Sequence, residues 1–215
     1  MRVSWPWIAG LVVPEVRRAN RNEDIRFPAE TRPFLARPIG THGGEGLTLI
    51  KTRRDLTSFL STLCGEQFLC VDFHDFKGAQ KCYRKYRFIF VDRKPYPYHL
   101  AIASSWLVHY WRAEMIRDTW KMAEEQAFLD DWRSVFGRST EVVEEIAQRL
   151  DLDYGGMDCS LLPNGDVLLF EANACMLVHL DDSNIEFPYK HRAVPKIRAA
   201  ITDLIRRRLD TGSIR

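Results

Sequence analysis

Gly155-Gly156-Met157-Asp158-Cys159-Ser160-Leu161-Leu162-Pro163-Asn164-Gly165-Asp166-Val167-Leu168-Leu169-Phe170-Glu171-Ala172-Asn173 reads as a β-hairpin. Two β-prone, mostly apolar runs flank Asn164-Gly165, the dipeptide that best tolerates the positive φ angles of a two-residue type I′ turn. Such a turn sets Pro163 against Asp166, and stepping back along both strands sets Asp158 directly opposite Glu171. Like charges that face each other across a sheet destabilise it, so this pair calls for a compensating partner. Asn173 lies two residues beyond Glu171, on the same face of its strand. One face therefore offers two carboxylates and an amide oxygen, hard donors that suit Mg²⁺ in company with phosphate oxygens and water. The plain alternative is an exposed hairpin whose acids face water.

Upstream, Phe34-Leu35-Ala36-Arg37 has strand character and ends at Pro38. Gly40-Thr41-His42-Gly43-Gly44-Glu45-Gly46 follows, and then a second strand, Leu47-Thr48-Leu49-Ile50. Glycines let the backbone approach a ligand and aim successive N–H groups at phosphate oxygens, although an ordinary flexible hairpin has the same composition. Thr52 with Asp55 forms a capping-box pattern ahead of Leu56, Phe59, Leu60 and Leu63 at helical spacing. Gln67 to Phe73 reads as a buried strand ending near Asp72.

Lys81 to Val91 is a long strand that turns at Asp92-Arg93-Lys94-Pro95 and returns as Tyr98 to Ala103. Alternation puts Lys85 and Arg87 on the face of Ile89 and Val91, and Arg84 with Tyr86, Phe88 and Phe90. Cations on a strand bound for the core need partners. Ser104 to about Trp132 reads as mostly helical, with Glu124-Glu125 on a polar patch. Glu141 to Leu150 forms a helix opened by Thr140, with acids in its first turn. The final helix carries Ile197, Ala200, Ile201, Leu204, Ile205 and Leu209 on one face and Arg206 to Arg208 near its end.

Composition narrows the classes. With 46% hydrophobic residues, a 215-residue chain buries a real core. A formal charge of +2 gives no reason to expect nucleic acid. Five cysteines without a Cys-x-x-Cys pair argue against a disulfide framework and fit a reducing cytoplasm. No apolar run approaches the ~20 residues that span a bilayer, so a membrane partner is not expected.

Asp158 followed by Glu171-Ala172-Asn173 at the end of an apolar strand, with the upstream Gly-Thr-His-Gly-Gly loop, resembles the ATP-grasp ligases. The likeness covers residues 33 to 200. It is nearest to the glutathione synthetase/RimK-type branch, and within it to ATP-grasp domains associated with tetratricopeptide-repeat bacterial proteins. The resemblance implies an α+β fold with two lobes whose antiparallel sheets clasp nucleotide. It implies ATP and Mg²⁺ as cofactors, with Asp158, Glu171 and Asn173 as metal ligands and Arg87 as the catalytic cation near the transferred phosphate. Arg37, His42, Gly43, Gly44, Gly46, Asp72 and Phe73 would contact the nucleotide, Arg37 standing where relatives often carry lysine.

The implied activity is a carboxylate-amine or carboxylate-thiol ligation through an acyl phosphate, with small-molecule or peptide carboxylates and amines as substrates. The implied division is an N-terminal extension or remnant at 1–32, a partial first lobe at 33–72 and a second lobe with its C-terminal helix at 73–215. Complete relatives carry a further N-terminal domain, which 32 residues are too few to supply. A homodimer or a partner subunit would then provide it. Two other classes remain open: a nucleotide-binding interaction module without turnover, and an ATP-dependent small-molecule kinase.

Overall fold

The computed structural model describes residues 7–22, 32–41, 43–179 and 187–210. In chain order the elements are β1 (Leu11–Val12), β2 (Val16–Asn20), β3 (Phe34–Pro38), β4 (Thr48–Ile50), α1 (Arg53–Thr62), β5 (Gln67–Asp72), β6 (Tyr83–Val91) and β7 (Lys94–Ala103). They continue as α2 (Thr119–Asp130), α3 (Trp132–Phe136), α4 (Thr140–Leu150), β8 (Tyr154–Leu161), β9 (Val167–Asn173) and α5 (Lys190–Asp210). The chain divides into a smaller unit, Val13–Asp75, and a larger one formed by Met1–Val12 and Phe76–Arg215. These boundaries differ from the expected ones at 32 and 72. The reason lies in the N-terminal segment, which is built into both sheets: β1 pairs with β9, whereas β2 pairs with β5.

The smaller unit is a four-stranded sheet in the order β2-β5-β3-β4, antiparallel throughout. Helix α1 starts with the expected capping box: Thr52 Oγ1 accepts from Asp55 N at 3.2 Å, and Asp55 accepts from Thr52 N at 2.8 Å. Leu56, Phe59 and Leu63 then pack with Phe34, Ile50 and Phe68 in this unit's own core.

The larger unit is a five-stranded sheet in the order β1-β9-β8-β6-β7, in which only β1 runs parallel to its neighbour. Tyr86, Phe88 and Phe90 of β6 pack against Phe128 of α2, Phe136 of α3 and Val143 and Ile146 of α4. Ile89 and Val91 join Val194, Ile197 and Leu204 of α5 in a separate cluster. The alternation along β6 thus sends its aromatic residues to one helical layer and its aliphatic residues, with Lys85 and Arg87, to the other side.

Three expectations are corrected. The β8–β9 connection is not a two-residue turn: Leu162 N bonds Asp166 O, Gly165 N bonds Leu162 O, and only Gly165, at φ +84°, is left-handed. That is a three-residue loop with glycine at its left-handed position. A two-residue turn with both central residues left-handed closes β6–β7 instead, at Asp92 (φ 51°) and Arg93 (φ 61°) between the paired Val91 and Lys94. Finally, α2 begins only at Thr119, because Glu114 is left-handed (φ 48°) and the residues on either side of it form short 3₁₀ turns, Tyr110–Arg112 and Met115–Arg117.

Candidate functional site

The register of the larger sheet places four residues in a row across four strands. His99 of β7 pairs with Arg87 of β6, Arg87 with Asp158 of β8, and Asp158 with Glu171 of β9. Directly paired residues share a face. The expected opposition of Asp158 and Glu171 is present, but the register arrives there differently. From the loop to Cys159↔Leu169 the pairing is offset by one residue, and a bulge at Phe170 restores it at Asp158↔Glu171. A second irregularity, between Arg87 and Phe88, leaves Tyr98 as the extra residue on β7 next to His99.

The like-charge pair is offset by protein cations. Asp158, 3% exposed, accepts from Arg87 Nε at 2.6 Å, from Arg87 Nη2 at 2.8 Å and from Lys85 Nζ at 3.0 Å. Burial alone pushes its carboxyl pKa up, but the Arg87 hydrogen bonds and the charges of Lys85 and Arg87 outweigh that and bring it down to about 2. Charge-assisted, bidentate pairing of this kind fixes both side chains. Glu171 and Asn173 are exposed, and Asn173 Oδ1 accepts from Cys175 N at 2.7 Å. Against the expected metal set, the donors fit in chemistry: Glu171 and Asn173 offer oxygen to solvent. Asp158 already receives three hydrogen bonds, one of them at Oδ1.

Next to the row lies a buried polar network that the sequence did not announce. Glu125, expected on a polar patch, is fully buried. It accepts from Leu100 N at 3.2 Å on the free side of edge strand β7, from Tyr110 at 3.1 Å and from Tyr189 at 2.7 Å, with Lys190 Nζ at 3.7 Å. Burial pushes its pKa up, against the pull of Lys190 and these donors. A usable signal exists: Lys121, Glu125, Phe128 and Leu129 fall at helical spacing and all are buried. Lys190 and Tyr110, far away in sequence, carry no such signal. His99, also buried, has its pKa pushed well below the ordinary value, by burial first and by the Arg87 charge second.

The remaining expected residues belong to the smaller unit. Arg37 on β3 donates to Thr41, from Nε to Oγ1 at 3.3 Å and from Nη2 to the carbonyl, and so braces the glycine-rich loop. Within that loop Gly43, Gly44 and Gly46 are all left-handed, and a Cβ on Gly46 would meet the Pro38 ring at 2.9 Å. Asp72 ends β5, exposed, with its N–H bonded to Glu15 O, and Phe73 follows half-buried. His42 lies outside the described residues. Among the described residues no group of three or more His, Cys, Asp or Glu is placed to hold a metal, and no helix is long and apolar enough to cross a membrane.

No protein-family model matches the chain, and no curated protein matches it in sequence. Solved structures do. The D-alanine–D-alanine ligase from Coxiella burnetii aligns over 93% of this chain and 54% of its own, with a TM-score of 0.51 and 10% identity. The D-alanine–D-alanine ligase from Bacillus anthracis aligns over 89% and 64%, with a TM-score of 0.50 and 12% identity. At these identities the likeness is one of fold: the chain has the α+β ATP-grasp fold with antiparallel sheets. It spans less than two thirds of the length of either ligase.

Proposed function

We propose that the chain is an ATP- and Mg²⁺-dependent ligase that joins a carboxylate to an amine or thiol through an acyl phosphate. The observation that carries this reading is the row Arg87–Asp158–Glu171 on a fold shared with ligases. Arg87 and Lys85, held by Asp158, bring positive charge to a face that ends in exposed oxygen donors. Positive charge fixed in advance stabilises phosphoryl oxygens without reorganisation at the moment of transfer. Asp158 acts by orienting the two cations. Asp158, Glu171 and Asn173 would hold Mg²⁺, which on binding supplies charge neutralisation to the phosphates.

In the proposed reaction a substrate carboxylate oxygen attacks the γ-phosphorus of ATP and ADP leaves. The amine or thiol then adds to the acyl carbon, losing its proton, and inorganic phosphate departs. No protein nucleophile is required, so positioning and electrostatics carry the rate. The loop glycines 43, 44 and 46 are proposed to cradle phosphate through backbone N–H groups, with His42 in the same loop and Arg37 supplying a side-chain charge to it. Asp72 and Phe73 are proposed to contact the rest of the nucleotide.

The test is incubation with ATP, Mg²⁺ and panels of acids and amines, followed by product analysis. An amide or thioester formed in step with ADP and phosphate supports ligation. A stable phosphorylated acceptor without coupling would replace it by a kinase. ATP binding with no ADP formed across the panels would replace it by a nucleotide-binding module.

A further inference from the structure

On the His99 side of the charged row, the larger unit contains a cavity of about 150 Å³, close to the volume of an engineered apolar cavity that takes up benzene. Its lining is cationic and aromatic. Lys85, Arg87 and Lys190 reach it, and no described Asp or Glu lines it. The carboxylates that balance these cations lie behind the wall, Asp158 under Lys85 and Arg87 and Glu125 beside Lys190.

The rest of the wall is largely rings. Tyr98, His99, Tyr110 and Trp111 follow one another with centroid separations of 5.1, 4.7 and 5.8 Å. The bulge that makes Tyr98 the extra residue on its strand lets adjacent residues of β7 both face this space. Lys190 donates to the Tyr110 hydroxyl and stands 3.9 Å from the centre of its ring, so its ammonium is oriented by a cation–π contact as well as by charge.

His99 is 6% exposed, and its buried Nδ1 has no hydrogen-bond partner among the described residues, an exception to the usual pairing of buried polar atoms.

We infer that this cavity binds a small, flat organic acid, its carboxylate set against Lys190 and Lys85 and its planar body against Tyr110 and Trp111. The inference rests on the ligase reading in making that acid a substrate; the binding itself requires no nucleotide. Three cations, with no acid among the described lining residues, select the anion, and the ring wall and the cavity size select a planar body about as large as benzene.

Titration calorimetry of the nucleotide-free chain tests this with three probes: benzoate, its saturated counterpart cyclohexanecarboxylate, and inorganic phosphate. The expected result is saturable one-site binding of benzoate, tighter than that of the other two. Removing the anchoring charge in Lys190→Gln is expected to weaken benzoate binding about tenfold, the size of a lost charge-assisted hydrogen bond. Trp111→Leu is expected to weaken it as well, and because Trp111 is 73% exposed that variant keeps its fold even if Lys190→Gln does not. The inference is overturned if the folded wild type shows no saturable benzoate binding, or if Trp111→Leu binds it unchanged. It is equally overturned if cyclohexanecarboxylate or phosphate binds as tightly. Loss of this inference alone would leave Mg²⁺-dependent ATP binding intact, whereas loss of the ligase reading would leave benzoate binding intact.

Discussion

The β6–β7 hairpin turns through Asp92 and Arg93, two residues without glycine's freedom, both left-handed. The β8–β9 hairpin contains Asn164-Gly165, which suits that turn better, and closes through a three-residue loop instead. The difference is tertiary. Arg93 is bonded to Asp151 at 2.8 Å and to Asp153 at 2.6 Å, Asp92 is paired with Arg207 at 2.9 Å, and Arg208 reaches Asp153 at 2.6 Å. Charges from the end of α4 and from α5 thus hold a turn that its own residues do not favour. In the other hairpin the longer loop shifts the register by one, and the bulge at Phe170 shifts it back before Glu171. This bulge and the one at Tyr98 in the first hairpin adjoin the row of His99, Arg87, Asp158 and Glu171, so what the two hairpins share is the alignment of that row rather than a turn type.

The comparison breaks first at the row. Removing the guanidinium in Arg87→Met leaves Asp158 buried with Lys85 alone, and loss of one partner from a buried charge pair costs about 3–5 kcal/mol. Urea denaturation should show a loss of that order; a loss below about 1 kcal/mol would mean that the row behaves like a surface ion pair.

Acid is the next probe. The Asp158 pKa is depressed to about 2 from the usual 3.8, so its contribution is fully present above about pH 4 and disappears as pH falls through about 2, an effect of about 2 kcal/mol. Glu125 has the opposite sign: its raised pKa makes its contribution largest at low pH and diminishing as pH rises through the folded value. Stability measured from pH 5 to 2 should therefore fall in the wild type and fall less steeply in Asp158→Asn. Parallel curves would assign the acid sensitivity to other groups.

The turns should matter less. Gly165→Ala puts a Cβ on a left-handed residue, where it would meet the Arg138 guanidinium at 3.0 Å, and should cost about 1 kcal/mol by thermal or urea unfolding. Arg93→Gly relieves a left-handed non-glycine residue while losing partly exposed ion pairs. The two effects oppose, and the net change should lie within about 0.5 kcal/mol. A loss well above that would show that the ion network outweighs the strain of the left-handed turn.

Much of this architecture is legible in local pattern. Alternation along Lys85 to Val91 assigns the cations and the aromatic residues to their faces, Thr52 and Asp55 announce the start of α1, and Thr140 announces α4. The opposition of Asp158 and Glu171 is legible too, although through a loop one residue too short and without the bulge that compensates for it. Other parts leave no local trace. In Val16 to Asn20 only Ala19 is buried, so no alternation marks β2. The Glu125–Tyr110–Lys190 network joins residues up to 80 positions apart, and the ions that steady Asp92-Arg93 come from the segment after α4 and from α5. Such contacts are decided by packing, which periodicity does not encode.

The central claim is that the exposed end of the row serves a Mg²⁺-bound nucleotide. Titration calorimetry of ATP into the wild type and Glu171→Gln, with and without Mg²⁺, tests it most directly, because exposed Glu171 can be changed without disturbing the core. The account predicts Mg²⁺-dependent ATP binding by the wild type, weakened about tenfold or more in the variant. No binding by the folded wild type, or equal binding by the two proteins, would contradict it.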